Sequence, residues 1–258
     1  MSTARIGEVE LGRGRPKVCV PFVGATVAEL AAEAAAVRAD VADLVELRLD
    51  RFAAFRAPDG ATSALDAVRT ALDPALPVLV TVRTAREGGG ADLPPEEHLA
   101  LVTRIAGHPA TDAVDVEMGL PGDLTARAVA AVHDRGLPVV MSFHDLAGTP
   151  RRDAIVARLA RQQEQGADVV KRACTPRTPE DVLTLLGATV EYTARADARP
   201  AITMAMGRLG VVSRIAGETF GSCLTFGTVG AASAPGQVDA ARLGATLDLL
   251  HGASVHGG

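Results

Sequence analysis

Of the 26 basic residues in the chain only two are lysines, Lys17 and Lys171; the others are arginines. A chain that uses arginine wherever a surface charge suffices marks a surviving lysine as a candidate amine. Lys17 follows Pro16 at the start of an apolar run and reads as a plain strand-start charge. Lys171 interrupts the run VVKRA, and an amine in a largely apolar surround loses its proton more readily, because desolvation disfavours the ammonium. Arg48, Arg83 and Arg214, if near, would depress its pKa further. A neutral amine attacks a ketone to form an iminium, an electron sink for removing a proton from the adjacent carbon. His144, in SFHD, suits a general acid–base near neutral pH; His98, His108, His133, His251 and His256 fall in helical, loop or tail segments. Glu87, in RTAREGGG, is placed to orient that imidazole, with Gly88 to Gly90 letting its loop bend sharply. Arg214 offers a bidentate fork for a carboxylate. Asp115 and Glu117 are paired acids, but no histidine spacing accompanies them and arginines crowd the same region, so no metal site is expected.

These residues need a scaffold. Strand patterns occur at 17–23, 44–49, 77–83, 111–117, 138–144, 167–173, 200–206 and 223–228. Helical patterns lie near 26–39, 61–73, 95–107, 123–135, 151–165, 179–195, 208–217 and 238–250, with Pro or Gly at many junctions. Eight strand-then-helix units imply an α/β protein with a parallel sheet, and eight is the number that closes as a (β/α)8 TIM barrel. An open doubly wound sheet would usually carry a Gly-rich turn after its first strand, and VPFVGATVAEL has none. The 258 residues suit a single barrel domain over 1–258, with 1–16 an N-terminal hairpin, turning at Gly12 to Gly14, that closes the barrel bottom.

Side-chain alternation divides each strand into a helix-facing and a lumenal set. Val45, Leu47 and Leu49 take the apolar parity of the second strand, leaving Glu46 and Arg48 inside. Val78, Val80 and Val82 point outward in the third and Arg83 inward. The fourth strand sends Val114 and Val116 out and Asp115 and Glu117 in. The fifth sends Val139, Met141 and Phe143 out and Ser142 and His144 in. Lys171 shares the parity of Val169, and the seventh strand adds Met204 and Met206. The charged members lie late in their strands, at the C-terminal rim where barrel enzymes carry their chemistry. Buried charges need partners, so such convergence favours an active site over an idle core. After the last strand, GAASAPGQ at 230–237 has the small-residue composition of a mobile lid, with Ser233 and Gln237 toward its far end.

Composition narrows the partners. Net charge is -5 with 22% charged residues, which argues against a nucleic-acid or membrane surface as the main partner. Cys19, Cys174 and Cys223 sit in or beside apolar runs and read as thiols of a reducing compartment. The N-terminus lacks an apolar targeting core and no stretch approaches a membrane span, so a cytoplasmic location is expected.

In order and spacing, ELRLD at 46–50, TVRTAREGG at 81–89, VDVE at 114–117, SFHD at 142–145, VVK at 169–171, MAMGRLGVVSR at 204–214, FGSCLTF at 220–226 and SAPGQ at 233–237 resemble the type I 3-dehydroquinate dehydratases. The resemblance runs through roughly 17–250. It implies a lyase that performs syn dehydration of 3-dehydroquinate to 3-dehydroshikimate in the shikimate pathway, as a homodimer, without metal or nucleotide cofactor. Lys171 would be the Schiff-base lysine, His144 the proton shuttle and Glu87 its acid partner. Glu46, Arg48 and Arg83 would hold ring hydroxyls, Arg214 the carboxylate, and Ser233 and Gln237 the lid contacts, with Met204 and Met206 an apolar wall. Three positions depart from the family's pattern. Leu47 replaces a frequent aromatic, Arg172 replaces an aliphatic after the lysine, and Pro21 stands where some members carry a hydroxyl. The residues alone also admit a class I aldolase-type barrel or a catalytically silent ligand-binding barrel.

Overall fold

The structure, a computed structural model, describes residues 2–230 and 238–256. Eight barrel strands follow one another in parallel register: β3 (Lys17–Phe22), β4 (Leu44–Arg48), β5 (Val78–Thr81), β6 (Ala113–Glu117), β7 (Val139–Asp145), β8 (Val169–Cys174), β9 (Ala201–Ala205) and β10 (Leu224–Thr228). They are preceded by β1 (Ala4–Ile6) and β2 (Val9–Leu11). Strand β10 pairs with β3, and an isolated Ala201–Ser222 bridge brings β9 to the start of β10, closing the ring. The short β11 (Val238–Asp239) adds at β10. Between the strands run α1 (Val27–Ala36), α2 (Gly60–Ala71), α3 (Pro95–Ala106), α4 (Leu124–His133), α5 (Arg152–Glu164), α6 (Pro179–Thr193), α7 (Val211–Ile215), α8 (Gly217–Phe220) and α9 (Ala240–His256).

All eight expected strands are present, with their ends shifted by a residue or two; the strands over 139–145 and 169–174 each run one residue further than expected. Two of the long helices start at side-chain caps. Thr26 accepts the Glu29 N–H and the Glu29 side chain reaches back, a capping box that Thr178 and Asp181 repeat at α6. The helix expected over 208–217 is instead a 3-10 turn followed by α7 and α8. Glycine breaks it. Gly207 has φ +73, and a Cβ on Gly210 would sit 1.9 Å from the Ala205 carbonyl oxygen.

The hairpin exists, but its turn is at Gly7–Glu8, with Ile6 opposite Val9, rather than at Gly12 to Gly14. Gly7 supplies the left-handed residue (φ +53), whereas Gly12 and Gly14 bend the chain out of the hairpin toward β3. This register sends Ile6 and Leu11, both fully buried, into an apolar plug with Leu44, Leu79, Val140, Val169 and Ile202. These are the inward residues nearest the N-terminal ends of their strands, so the hairpin seals the barrel bottom. The opposite parity, Val45, Leu47, Val80, Val114 and Met141 among it, packs in the separate barrel–helix core. Fully burying each such side chain contributes roughly 1.5–3 kcal/mol. What remains lumenal toward the C-terminal rim is polar.

Candidate active site

The polar lumenal layer opens into a cavity of about 490 Å³ at the C-terminal mouth. Its lining includes Glu46, Arg48, Arg83, Glu87, His144, Lys171, Met204, Met206 and Arg214, together with Pro21 and Phe226. Nine of the eleven residues singled out from the sequence therefore meet in one place. Ser233 and Gln237 lie outside the described residues.

Lys171 is 3% exposed at the floor of this cavity. Its Nζ donates to Asp115 Oδ2 at 2.9 Å and to Glu46 Oε1 at 3.2 Å, and sits 4.8 Å from the centre of the Phe226 ring. The expected neutral amine in an apolar, arginine-rich surround is corrected here. Burial pushes the lysine pKa down, but Asp115 and Glu46 outweigh it, and the net direction is upward. Arg83 opposes them; Arg48 and Arg214 are not among the principal influences. Lys171 rests as an ammonium.

Arg83 organises the carboxylates. It is 3% exposed, with Nη1 donating to Glu117 Oε1 at 3.0 Å and Ser142 Oγ at 2.7 Å, and Nη2 2.8 Å from Asp115 Oδ1. Burial works against its charge, and Asp115, Glu117, Glu87 and Glu46 more than restore it. Arg48 is held by a two-pronged pair with Asp50, both contacts 2.9 Å. Asp50 also accepts from Gly90 N–H at 3.0 Å and Arg83 N–H at 3.3 Å, tying the glycine loop beneath β4. A side chain on Gly89 would put a Cβ 2.0 Å from the Arg83 carbonyl oxygen, so this fold of the loop requires glycine.

The loop delivers Glu87. Its Oε2 lies 2.8 Å from His144 Nδ1 and accepts the His144 backbone N–H at 3.1 Å. An oxygen already accepting one donor fits Nδ1–H as a second, which leaves the lone pair on Nε2. Nε2 has no protein partner among the described residues. Burial, then Arg83 and Lys171, hold the His144 pKa well below its ordinary value, so the imidazole is neutral at pH 7. Burial and the Glu117 charge push Glu87 up to about 8, and its Oε1 is buried without a partner among the described residues. Near neutrality the pair is two uncharged groups sharing a hydrogen bond.

This sets a sign for stability. Glu87 has a folded pKa near 8 against an ordinary value of about 4.3, so folding favours its protonated form. Its contribution is fully present below about pH 4.3 and is lost as pH rises through about 8. Glu87→Gln, neutral at every pH, is expected to match the wild-type Tm near pH 4 and to exceed it by a margin that grows up to pH 8, on the order of 10 °C. Thermal melts across that range check it; a variant less stable at pH 8 would mean the carboxylate is charged and paired.

Arg214 is 3% exposed in α7, and its Nε and Nη1 are buried without a hydrogen-bond partner among the described residues. Burial alone lowers its pKa. Buried donors left unmade are costly, and an arginine held this way awaits an acceptor. Arg172, the departure after the lysine, points to the helix side as its parity requires. It is fully buried, pairs with Asp145, and lies over the Phe143 ring at 4.7 Å. Asp50, Ser142, Phe226 and Thr81, which donates to Glu46 at 2.7 Å, were not singled out, although parity already placed Ser142 in the lumen. Asp115 and Glu117 stand where parity puts them, in the lumen, but the sequence assigns them no role beyond a disfavoured metal pair. Among the described residues no group of three or more His, Cys, Asp or Glu is arranged to hold a metal ion. No helix there is long and apolar enough to cross a membrane.

A parallel (β/α)8 barrel with a buried lysine, a neutral histidine and an open arginine at its C-terminal mouth is the build of a barrel enzyme. Residues 18–254 match the family model of type I 3-dehydroquinase, and the chain belongs to that family. A 3-dehydroquinate dehydratase of Clostridium kluyveri is 40% identical over 250 residues, covering 96% of this chain and 98% of the relative. One from Listeria monocytogenes serotype 4b is 43% identical over 97% of this chain and 99% of its own length. The crystal structure of a type I 3-dehydroquinate dehydratase from Clostridium difficile with covalently modified comenic acid superposes with a TM-score of 0.93 at 36% identity, covering 98% of each chain.

Proposed function

We propose that the chain, acting as one barrel domain, dehydrates 3-dehydroquinate to 3-dehydroshikimate through a Schiff base on Lys171, as a cytoplasmic homodimer of the shikimate route. The observation that carries this reading is Lys171 Nζ, buried at the floor of the cavity that also holds neutral His144 and Arg214, whose Nε and Nη1 have no partner among the described residues. Membership of the family supports the substrate, and a covalent adduct in the Clostridium difficile relative supports covalent chemistry in such a barrel.

The steps follow from the charges. The substrate carboxylate satisfies Arg214. The Lys171 ammonium gives a proton to a base, for which His144 Nε2 is suited, and the freed amine adds to the C3 carbonyl. His144 hands the proton it took to the C3 oxygen, which leaves as water and gives an iminium. The imidazole, neutral again, takes a proton from C2, and the electron pair flows through the enamine to expel the C1 hydroxyl, which accepts that proton from His144 and departs as water. Hydrolysis of the iminium then restores the lysine, so one water is lost overall. Glu46, Arg48 and Arg83 face the ring hydroxyls, and Met204 and Met206 form the apolar wall.

Incubation with 3-dehydroquinate and borohydride, followed by peptide mass analysis, tests the proposal. A reduced adduct on Lys171 together with dehydration supports it. An adduct formed only with aldol substrates would move the chain to carbon–carbon bond cleavage, and none with any ketone would leave a silent barrel. Arg214→Ala is expected to raise KM by about 10- to 100-fold with kcat within about threefold, the loss of one charge-assisted pair. Equal losses in kcat and kcat/KM would instead place Arg214 in the chemical step.

A further inference from the structure

Two carboxylates touch the Lys171 nitrogen, and they are not equivalent. Glu46 lines the cavity, whereas Asp115 does not; it lies beneath the amine, with its side chain 1% exposed. Glu46 is anchored by the Thr81 hydroxyl on the same oxygen that Lys171 contacts, and that contact is the longer one, 3.2 Å. Asp115 is clamped from behind. Its Oδ1 accepts Ser142 Oγ at 2.5 Å and faces Arg83 Nη2 at 2.8 Å, leaving Oδ2 for Lys171 at 2.9 Å. With two donors on one oxygen the carboxylate cannot swing away. Arg83 has Glu117 as a second partner at 3.0 Å, so Asp115 is not its sole neutralising charge.

Resting on the Schiff-base reading above, we propose that Asp115 is the fixed counter-ion of the Lys171 nitrogen through the whole cycle, while Glu46 yields its contact to the substrate. The proton count supports this division. Of three ammonium protons, one goes to the base and a second passes to the C3 oxygen, which leaves as water after a further protonation. A single N–H remains on the iminium. Two acceptors serve the ammonium, but the iminium needs one, and the clamped Asp115 Oδ2 is the one that substrate cannot displace. A negative charge there stabilises the iminium as it forms and keeps the nitrogen beneath the carbonyl carbon. Asp115 is held well below the usual carboxylate range, because Arg83, Lys171 and the Ser142 hydroxyl overcome its burial. It therefore stays charged and does not serve as the proton carrier; that role falls to His144.

The test follows the amine and the turnover separately, in wild type, Asp115→Asn and Glu46→Gln. Acetic anhydride labels only the uncharged amine, so the pH dependence of Lys171 acetylation, read by peptide mass, reports its titration without substrate. The wild-type midpoint is expected above the ordinary value of about 10.4. In Asp115→Asn it should fall by at least about one unit, and in Glu46→Gln by less. Asp115→Asn should also lower kcat by about 10²- to 10³-fold with KM within about fivefold, the size of losing one preorganised electrostatic partner. A merely structural role for Asp115 would not move the labelling midpoint. An unmoved midpoint in folded Asp115→Asn, or kcat within threefold of wild type, overturns the proposal. If Asp115→Asn does not fold, the other two proteins decide. A midpoint still above about 10.4 in Glu46→Gln supports Asp115 as the main counter-ion, and a wild-type midpoint below it removes the pairing. Failure of the Schiff-base reading shows differently, as the absence of a borohydride adduct on wild-type Lys171.

Discussion

Lys171→Ala is expected to lower turnover of 3-dehydroquinate by at least about 10⁴-fold and to abolish the borohydride-trapped adduct, with Lys17→Ala retaining nearly full rate. The magnitude follows from the role, since removing the nucleophile of a covalent route leaves only binding and the surrounding dipoles to assist the reaction. The contrast is clean because these are the only two lysines in the chain, so no third amine can be trapped from a side chain. The same substitution strands Asp115 and Glu46 in the lumen without their shared cation, and breaking a buried ion pair typically costs about 3–5 kcal/mol. Lys171→Met fills more of the vacated volume and separates the two effects. Both variants should lose activity alike, and circular dichroism melts show how much of the loss belongs to folding. Comparable rate losses at Lys17 and Lys171 would overturn the assignment of the catalytic amine.

How that lysine sits illustrates what a sequence can and cannot carry. Periodicity alone placed Glu46, Arg83, Asp115, Ser142, His144 and Lys171 on the lumenal parity, because one shift of register would have buried every charge against the helices. The barrel was legible for the same reason: eight alternating patterns leave few ways to bury their apolar faces. Parity does not say which oxygen reaches which nitrogen. Counting arginines near Lys171 predicted a depressed pKa, whereas the local sign is set by Asp115 and Glu46 at hydrogen-bond distance, with Arg83 largely occupied by Glu117 and Ser142. Parity puts Asp115 and Glu117 in the lumen, but their spacing alone gives no partner for either. Seen from β8, Asp115 is the lysine's nearest charge. The hairpin turn was misplaced by a related blindness. Gly7, Gly12 and Gly14 all take positive φ, and only the pull of Ile6 and Leu11 into the barrel bottom selects which of them turns the strands.

A resting ammonium moves the burden of the first step onto its proton acceptor, and this gives His144 an effect second only to that of the lysine. His144→Ala is expected to lower kcat by about 10³-fold, within the range for loss of a positioned acid–base, with a much smaller change in KM. The adduct should form more slowly, with solvent taking the lysine's proton, and should change in kind rather than vanish. Without the imidazole the C1 hydroxyl has no proton donor, so borohydride should trap Lys171 bearing the substrate skeleton before water is lost at C1. In wild type the trapped population should include the dehydrated skeleton. The pH profile separates this role from a packing defect. Burial and the Arg83 charge hold His144 of the free protein below its ordinary value, so the acid-side inflection of kcat/KM should lie below about pH 6.5 in wild type and be absent from the variant. Glu87→Gln, which keeps the hydrogen bond to Nδ1 in a neutral form, should preserve far more turnover than His144→Ala, because Glu87 is itself uncharged near neutrality. Turnover by His144→Ala within tenfold of wild type, or an adduct already dehydrated at C1 at full yield, would hand the proton to another group in the cavity.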